Sequence, residues 1–265
     1  MKDITRLLCM VLLSFLVVTG CSRRDILDDY PVSGVEVRLD WSGVTEKLPE
    51  GVRIIFYPKD EKGRKIDTYL SVTGGEVKVP SGHYAVVIYN YDTETVLIRG
   101  EESYETIQAY TNFCKLGIAG TEKMVWGPDP LYVVNIDDLD IQNSEETLIL
   151  KLKPKLVIRT YSFSIKVQGL SNVSNVIGSI GGMADHYFLG KAYAMCDDYP
   201  INIGLNVKAG KIEGVFTTFG LPEAIITRLE IKLPVMMNLM IIKVDNSVQE
   251  VKINITEAVQ EPTGG

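Results

Sequence analysis

The chain has 265 residues, with 27 lysine plus arginine residues against 34 aspartate plus glutamate residues and a formal net charge of −7 at pH 7. A negative surface repels phosphate backbones, and the sequence contains no basic run to offset it, so we expect no nucleic-acid partner. The length leaves room for one large domain or two ordinary ones.

The N-terminal segment has the features of a secretory leader. Lys2 and Arg6 supply positive charge, residues 7–18 form an almost unbroken apolar run, and small residues lie directly before Cys21. A membrane-spanning helix needs about 20 apolar residues, and this run is shorter. The arrangement resembles the signal peptide of bacterial lipoproteins, in which the cysteine after the cleavage site is acylated. We therefore predict a signal peptide over residues 1–20 and lipid on Cys21. A plain secretory signal and an N-terminal anchor helix are the alternatives.

The segment after Cys21 is polar and carries three aspartates within residues 22–30. This composition favours a flexible tether between a membrane anchor and a folded body, and we assign residues 21–33 to it. Acidic residues close behind such a cysteine also resemble the surface-export signals of some bacterial lipoproteins. The predicted location is therefore the cell outer membrane. The acylated cysteine would attach the protein to the lipid membrane, with its folded body exposed at the cell surface.

The first half of the folded body has the side-chain period of β-strands. Val35, Val37, Leu39 and Trp41 alternate with polar residues, which indicates a strand with one buried face and places Trp41 in the core. Further strands are predicted at residues 52–57, 66–72, 77–79, 84–91 and 96–98, the last as a neighbour of the strand before it. Short strands separated by glycine turns are typical of an antiparallel β-sandwich.

Residues 104–143 are less regular, and two features in them invite a functional interpretation. Trp126 precedes a Gly-Pro-Asp-Pro loop and either packs in the core or offers a sugar-binding platform, so we keep it as a candidate ligand contact. Five carboxylates within residues 137–146 could bind calcium, but the run lacks the glycine of a calcium loop and apolar residues interrupt it. We therefore predict a solvated, charged loop there and no metal site.

The second half repeats the alternating pattern. A strand is predicted around residues 148–152, at the end of the first half, and further strands around residues 163–167, 229–233 and 251–255 in the second, with one short helix at residues 172–183. Pro154 interrupts the alternation, and we place a domain boundary there. The sequence thus predicts an all-β protein of two tandem β-sandwiches, an N-terminal domain over residues 34–154 and a C-terminal domain over residues 155–265.

Several short motifs together resemble a known family. They lie at residues 37–42, 49–58, 80–84 and 89–93 in the first half, and at residues 167–172, 178–184 and 216–220 in the second. These motifs resemble the fimbrillin-like outer-membrane lipoproteins of Bacteroidetes, which are similar to the subunits of pili. The resemblance implies two transthyretin-like β-sandwiches and a role in adhesion or pilus assembly, as an anchor or accessory subunit. A glycan-binding surface lipoprotein serving nutrient uptake is the alternative.

The resemblance also implies a way of binding other pilus subunits. In the pilin branch, a protease removes the first strand after an arginine, and a strand from a neighbouring subunit fills the groove. Strand addition works because an open sheet edge offers unpaired backbone groups. In this sequence Arg53 lies inside a predicted strand and Arg99 follows one, so neither is clearly placed for cleavage. Polymerisation and a stand-alone role are both left open.

The sequence carries no recognisable catalytic motif, and we predict that the protein is not an enzyme and needs no cofactor. His83 follows a turn that enters a strand, and His186 follows Asp185; we expect neither to be catalytic. After loss of the leader, Cys114 and Cys196 accompany Cys21. Their spacing does not distinguish a disulfide from two buried free thiols.

Overall fold

The computed structural model describes residues 32–60, 63–114, 123–208, 210–222 and 234–260. The predicted signal peptide, the lipidation site Cys21 and the predicted strand at residues 229–233 lie outside these ranges. The strands that precede residue 157 are β1 (Val32–Leu39), β2 (Gly51–Pro58), β3 (Ile66–Ser71), β4 (Gly74–Pro80), β5 (Gly82–Asn90), β6 (Val96–Arg99), β7 (Gln108–Thr111), β8 (Phe113–Cys114), β9 (Met124–Val125), β10 (Tyr132–Ile141), β11 (Leu148–Leu152) and β12 (Lys155–Leu156).

The rest of the described chain is also built from strands. Its elements are β13 (Arg159–Lys166), a 3-10 turn (Leu170–Asn172), β14 (Val173–Gly181), β15 (His186–Phe188), β16 (Tyr193–Met195), β17 (Ile201–Lys208), β18 (Lys211–Thr218), β19 (Met236–Lys243), β20 (Val248–Asn254) and the helix α1 (Thr256–Gln260). The predicted all-β class is confirmed. Within the described ranges, no helix has both the length and the hydrophobicity to cross a bilayer.

The first sheet curls around its own core. Its strand order is β11-β1-β4-β3-β2-β5-β10-β12. One layer carries Val35 and Val37 from β1, and these pack against Ile54 and Phe56 of the opposite layer. Trp41 closes this core, and its indole N–H donates to the carbonyl of Val72 at 2.6 Å, as a buried tryptophan requires. The predicted core position of Trp41 is therefore confirmed.

β2 and β5 are buried on both faces, because a second core lies on the other side of their layer. There Ile55 and Val87 contact a four-stranded sheet of order β16-β15-β7-β6. β6 and β7 come from the first half of the chain, whereas β15 and β16 come from the second. Leu189, which follows β15, is fully buried in this core beside Ile107. The two halves therefore share one hydrophobic core, and the boundary near Pro154 stays a prediction.

The second half forms a further curved sheet of order β13-β18-β17-β14-β19-β20, with the short β8–β9 hairpin beside β17. Its concave face holds a third core that includes Ile180, Phe216 and Leu239. The alternation of Phe163 and Ile165 on β13, and of Val251 and Ile253 on β20, points into this face, as the period-two pattern predicted.

Three predictions about local structure are wrong. The predicted strand at residues 96–98 exists as β6, but it pairs with β7 and does not neighbour β5. The acidic run begins on a ten-residue strand, β10, where a bulge between Ile136 and Leu139 hides the alternation. Residues 173–181 form β14 where a helix was predicted, consistent with their β-branched residues, which favour a strand, and with their glycines, which disfavour a helix. β1 pairs with β11 in parallel, while the other strand pairs that the structure describes in the first sheet are antiparallel.

Candidate functional surfaces

Three strands with half-buried apolar side chains lie at the ends of the two large sheets. In the part of the chain that the structure describes, β11 pairs with β1 alone, β13 with β18 alone and β20 with β19 alone. The far side of each strand carries backbone N–H and C=O groups that another strand can use. An open edge of this kind is the backbone feature that β-strand addition requires.

The side chains of β13 and β20 suit such an addition. Tyr161 and Phe163 on β13, and Val251 and Ile253 on β20, are only partly buried although they pack against the third core. A strand added at either edge could therefore cover apolar surface as well as pair backbone groups. The burial of β13 alternates strictly along residues 161–166, so one face of an added strand would meet the core and the other would meet solvent.

Arg53 is the centre of a charged network that the sequence pattern did not reveal. Its guanidinium donates two hydrogen bonds to Asp67, at 2.9 and 2.7 Å, and a third to Glu101 at 2.5 Å. A further bond of 2.8 Å reaches the hydroxyl of Tyr89. The hydrogen bonds to Asp67 raise the pKa of Arg53, and the same bonds lower the pKa of Asp67, so both groups stay charged. Arg53 thus links β2 to β3 and to the segment that follows β6.

The pairing of Asp185 with His186 that the sequence allowed is present. The two buried side chains are joined by a bond of 2.6 Å between Oδ1 and Nδ1. The other carboxylate oxygen of Asp185 accepts the backbone N–H groups of Asp197, at 2.9 Å, and Tyr199, at 3.3 Å. Asp197 comes within 3.9 Å of the same histidine nitrogen. Asp185 therefore stabilises the loop after β16, which is a structural role.

The group of Asp185, His186 and Asp197 also has the residue types of a metal site. Zinc–ligand distances of about 2.0–2.2 Å in tetrahedral geometry separate neighbouring ligand atoms by more than about 3 Å. The 2.6 Å contact between Asp185 and His186 is shorter than that and is a hydrogen bond. In this arrangement Asp185 and His186 bond to each other through Oδ1 and Nδ1, and the predicted absence of a metal site stays a prediction.

The acidic run of residues 137–146 begins on strand β10, and this separates its carboxylates in space. Asp137 accepts a hydrogen bond of 2.9 Å from the hydroxyl of Tyr104. Asp138 instead pairs with Lys59 at 3.1 Å and with His83 at 3.3 Å. The hydrogen bonds from Lys59 and His83 lower the pKa of Asp138. His83 lies exposed between Asp138 and Asp140, with its Nδ1 3.3 Å from Asp138 and its Nε2 3.8 Å from Asp140.

Trp126 lies at the surface, with 43% of the residue exposed. Its backbone N–H donates to the carbonyl of Asn112, and its carbonyl accepts the hydroxyl of Thr111. The following loop is tied down by Asp129, whose carboxylate accepts two backbone N–H groups from residues 94 and 95. The main chain at Trp126 is thus fixed while the residue faces solvent. Its role as a ligand contact stays a prediction.

Cys114 and Cys196 are both free thiols in the structure. Burial raises the pKa of Cys114, and burial raises the pKa of Cys196 to about 11. Reactive cysteines instead have a lowered pKa, because the thiolate is the nucleophile. The arrangement therefore supports two inert structural thiols.

The packed sheets and the core that both halves share define an all-β protein with open sheet edges in the described part of the chain. Residues 20–204 match the family model described as a domain of unknown function, DUF5119, and the chain belongs to that family. It is 53% identical over 261 residues to "Putative fimbrium anchoring subunit Fim4B" of Bacteroides ovatus, with 94% of this chain and 78% of the relative covered.

Two solved structures show how far this likeness extends. The crystal structure of a "putative adhesin" from Bacteroides ovatus is 53% identical, covers 91% of this chain and 89% of its own, and superimposes with a TM-score of 0.82. The fimbrial anchor protein Mfa2 from Porphyromonas gingivalis is 14% identical, with 86% and 83% covered and a TM-score of 0.54, so it shares the fold alone. The predicted resemblance to fimbrillin-like proteins is confirmed.

Proposed function

We propose that the protein is a non-enzymatic subunit of a fimbrium, anchored by lipid in the outer membrane, that acts in pilus assembly or adhesion. The observation that carries this proposal is the set of open edge strands β11, β13 and β20. The name of the Bacteroides ovatus relative, a fimbrium anchoring subunit, supports the anchoring role in particular. The glycan-capturing alternative for nutrient uptake has less support from these relatives.

Other fimbrial subunits are the proposed partners, and strand addition is the proposed mode of binding. A donor strand at β13 or β20 would pair with the unused backbone groups and lay alternate side chains over Phe163 or Ile253. This mode gives affinity through backbone hydrogen bonds and specificity through side-chain pockets. It needs no catalytic residue in this chain.

Site-specific photo-crosslinking in fimbriated cells tests the mode of binding. A benzoylphenylalanine residue is placed at Ser164, which is exposed on the edge strand β13, or at Asn206, which is exposed on the inner strand β17. We expect crosslinks to another fimbrial subunit from position 164 and none from position 206. Equal crosslinking at both positions would contradict an edge-specific contact, and a set of positions on β11 and β20 identifies which edge is used.

The membrane anchor is tested separately. Mass spectrometry of the N-terminal peptide should find acyl chains on Cys21, and the Cys21→Ala variant should leave the outer-membrane fraction. Electron microscopy of cells with this variant should then show fimbriae that are lost or shed. An unmodified N-terminus in the native protein would remove the lipid anchor from the proposal.

A further inference from the structure

Two exposed tyrosines form a right-angled corner on the first sheet. Tyr69 lies on β3 with 61% of the residue exposed, and Tyr91 directly follows β5 with 45% exposed. Their ring centroids are 5.2 Å apart and their planes meet at 86°. Single exposed apolar residues are common on protein surfaces, but a paired arrangement of large rings marks a candidate binding site.

The corner is held in place from below. The guanidinium of Arg53 lies 5.8 Å from the centroid of the Tyr69 ring and is itself fixed by its two hydrogen bonds to Asp67. The ring of Tyr91 lies over Gly51, where an added Cβ would come within 2.9 Å of the ring. The absence of a side chain at position 51 therefore lets Tyr91 approach the sheet. A rigid, preformed site loses little conformational entropy when a ligand binds.

The polar groups around the corner distinguish between ligand classes. The cores of protein–protein interfaces are depleted of aspartate, glutamate and lysine. Asp67 and Glu101 pair with Arg53, Asp67 also lies 3.9 Å from Lys65, and Asp92 directly follows Tyr91 in the chain. This surrounding is rich in hydrogen-bond acceptors and carries an excess of negative charge. It suits a ligand with many hydroxyl donors and no negative charge of its own.

We propose that the Tyr69–Tyr91 corner binds a neutral sugar ring of a surface glycan. The C–H groups on one face of the sugar would stack on a tyrosine ring, whose face carries negative potential, and hydroxyl groups would donate to the partly exposed carboxylates of Asp67 and Glu101. This proposal extends the adhesive side of the proposed function and is independent of strand addition. It uses a different site from Trp126.

The test measures binding of the full mature protein to a panel of neutral trisaccharides, namely mannotriose, maltotriose and cellotriose, with sialyllactose as the anionic probe. We expect saturable binding of a neutral member, with Kd of about 1 mM or below, and at least about tenfold weaker binding for Tyr69→Ala and Tyr91→Ala. Tyr69→Phe should retain most of the affinity because it keeps the ring. Thermal unfolding of each variant checks that it is folded.

Tyr199→Ala is the matched control. Tyr199 is also an exposed tyrosine in a perpendicular pair, with Phe113 at 4.9 Å, but the cation beside that pair is Lys123. Binding should be unchanged in this variant and in Trp126→Ala. No saturable binding of any neutral probe, stronger binding of sialyllactose, or loss of binding in Tyr199→Ala would each overturn the proposal.

The formation of fimbriae distinguishes the proposed sugar site from the proposed role in fimbrial assembly. Cells that carry Tyr69→Ala together with Tyr91→Ala should form normal fimbriae in electron micrographs while losing the measured sugar binding. Loss of fimbriae in that strain would place the tyrosines in a protein–protein contact and would overturn the sugar site. Loss of sugar binding with intact fimbriae would leave the assembly role untouched.

Discussion

The core shared by the two halves of the chain can be tested by one substitution, Leu189→Ala. Leu189 is fully buried beside Ile107 and Ala109, and its N–H donates to the carbonyl of Ile107 at 3.0 Å. Replacing a buried leucine by alanine costs about 2–5 kcal/mol. Because this side chain is enclosed on all sides, we expect a loss of about 3 kcal/mol. For a domain of this size, that loss lowers Tm by about 6–12 °C.

Native-state hydrogen exchange with mass spectrometry locates the effect. A loss of about 3 kcal/mol corresponds to about a hundredfold faster exchange in the segments that open with the core. We expect this acceleration in peptides that cover β5 and β7, although the substitution lies about 80–100 residues further along the chain. Leu239→Ala is the matched control, because Leu239 is 3% exposed in the separate core of the second sheet. Leu239→Ala should accelerate exchange in β14, β19 and β20 and leave β5 and β7 protected.

The reasoning is refuted if β5 and β7 keep their exchange rates in Leu189→Ala while only the β15–β16 hairpin loosens. That result would mean that the hairpin rests on the first sheet without stabilising it. The two halves would then be separable units, as the predicted boundary at Pro154 requires.

Further predictions concern Arg53, Cys196 and Trp126. Arg53→Met should lower the free energy of unfolding by about 2 kcal/mol, a value discounted for the partial exposure of Arg53 and Asp67; urea denaturation measures it, and a change below about 0.5 kcal/mol would contradict it. Arg53 lowers the pKa of Asp67, so the stabilisation by this pair should be complete above about pH 4 and should be lost as the pH falls through the lowered pKa of the folded state. The fall in the free energy of unfolding at acid pH should therefore be less steep in Arg53→Met. Cys196, with its pKa raised to about 11, should react with iodoacetamide at pH 8 about a hundredfold more slowly than a free thiol, and alkylation at the ordinary rate would show that the thiol is not desolvated. Trp126→Ala should change Tm by less than about 3 °C because Trp126 is exposed, whereas a larger loss would make it a packing residue.

Much of the sheet structure could be predicted because burial on one face leaves a period of two in the sequence. β1 follows that pattern, β13 follows it over residues 161–166 and β20 over residues 251–254, and Trp41 continues the buried phase of β1. The period of two is lost where burial does not alternate regularly along the strand. β10 escaped prediction because its bulge shifts the phase at Ile136 and three carboxylates give it the composition of a loop.

The four-stranded sheet was beyond sequence reasoning for a different reason. β15 and β16 are each three residues long, which is too short for a period to be recognised. Their partner β7 lies far away in the chain, so no local signal links them. The Arg53 network and the tyrosine corner share this property, because their members come from β2, β3 and the end of β5. Only the register of the sheet places Arg53 opposite Tyr69 and Tyr89.

The position of β1 gives the proposed anchoring role a mechanical basis. In that proposal, with lipid on Cys21, a pull on a fimbrium would be transmitted to the membrane through β1, the first described strand. β1 is paired with β4 from Val32 to Arg38 on one side and with β11 from Val35 to Leu39 on the other. Because these hydrogen bonds run across the strand, a pull along its axis loads them together and does not open them one by one. The core that contains Leu189 joins residues of both halves, so in the proposed role a load on the second half would pass to the first sheet through this core.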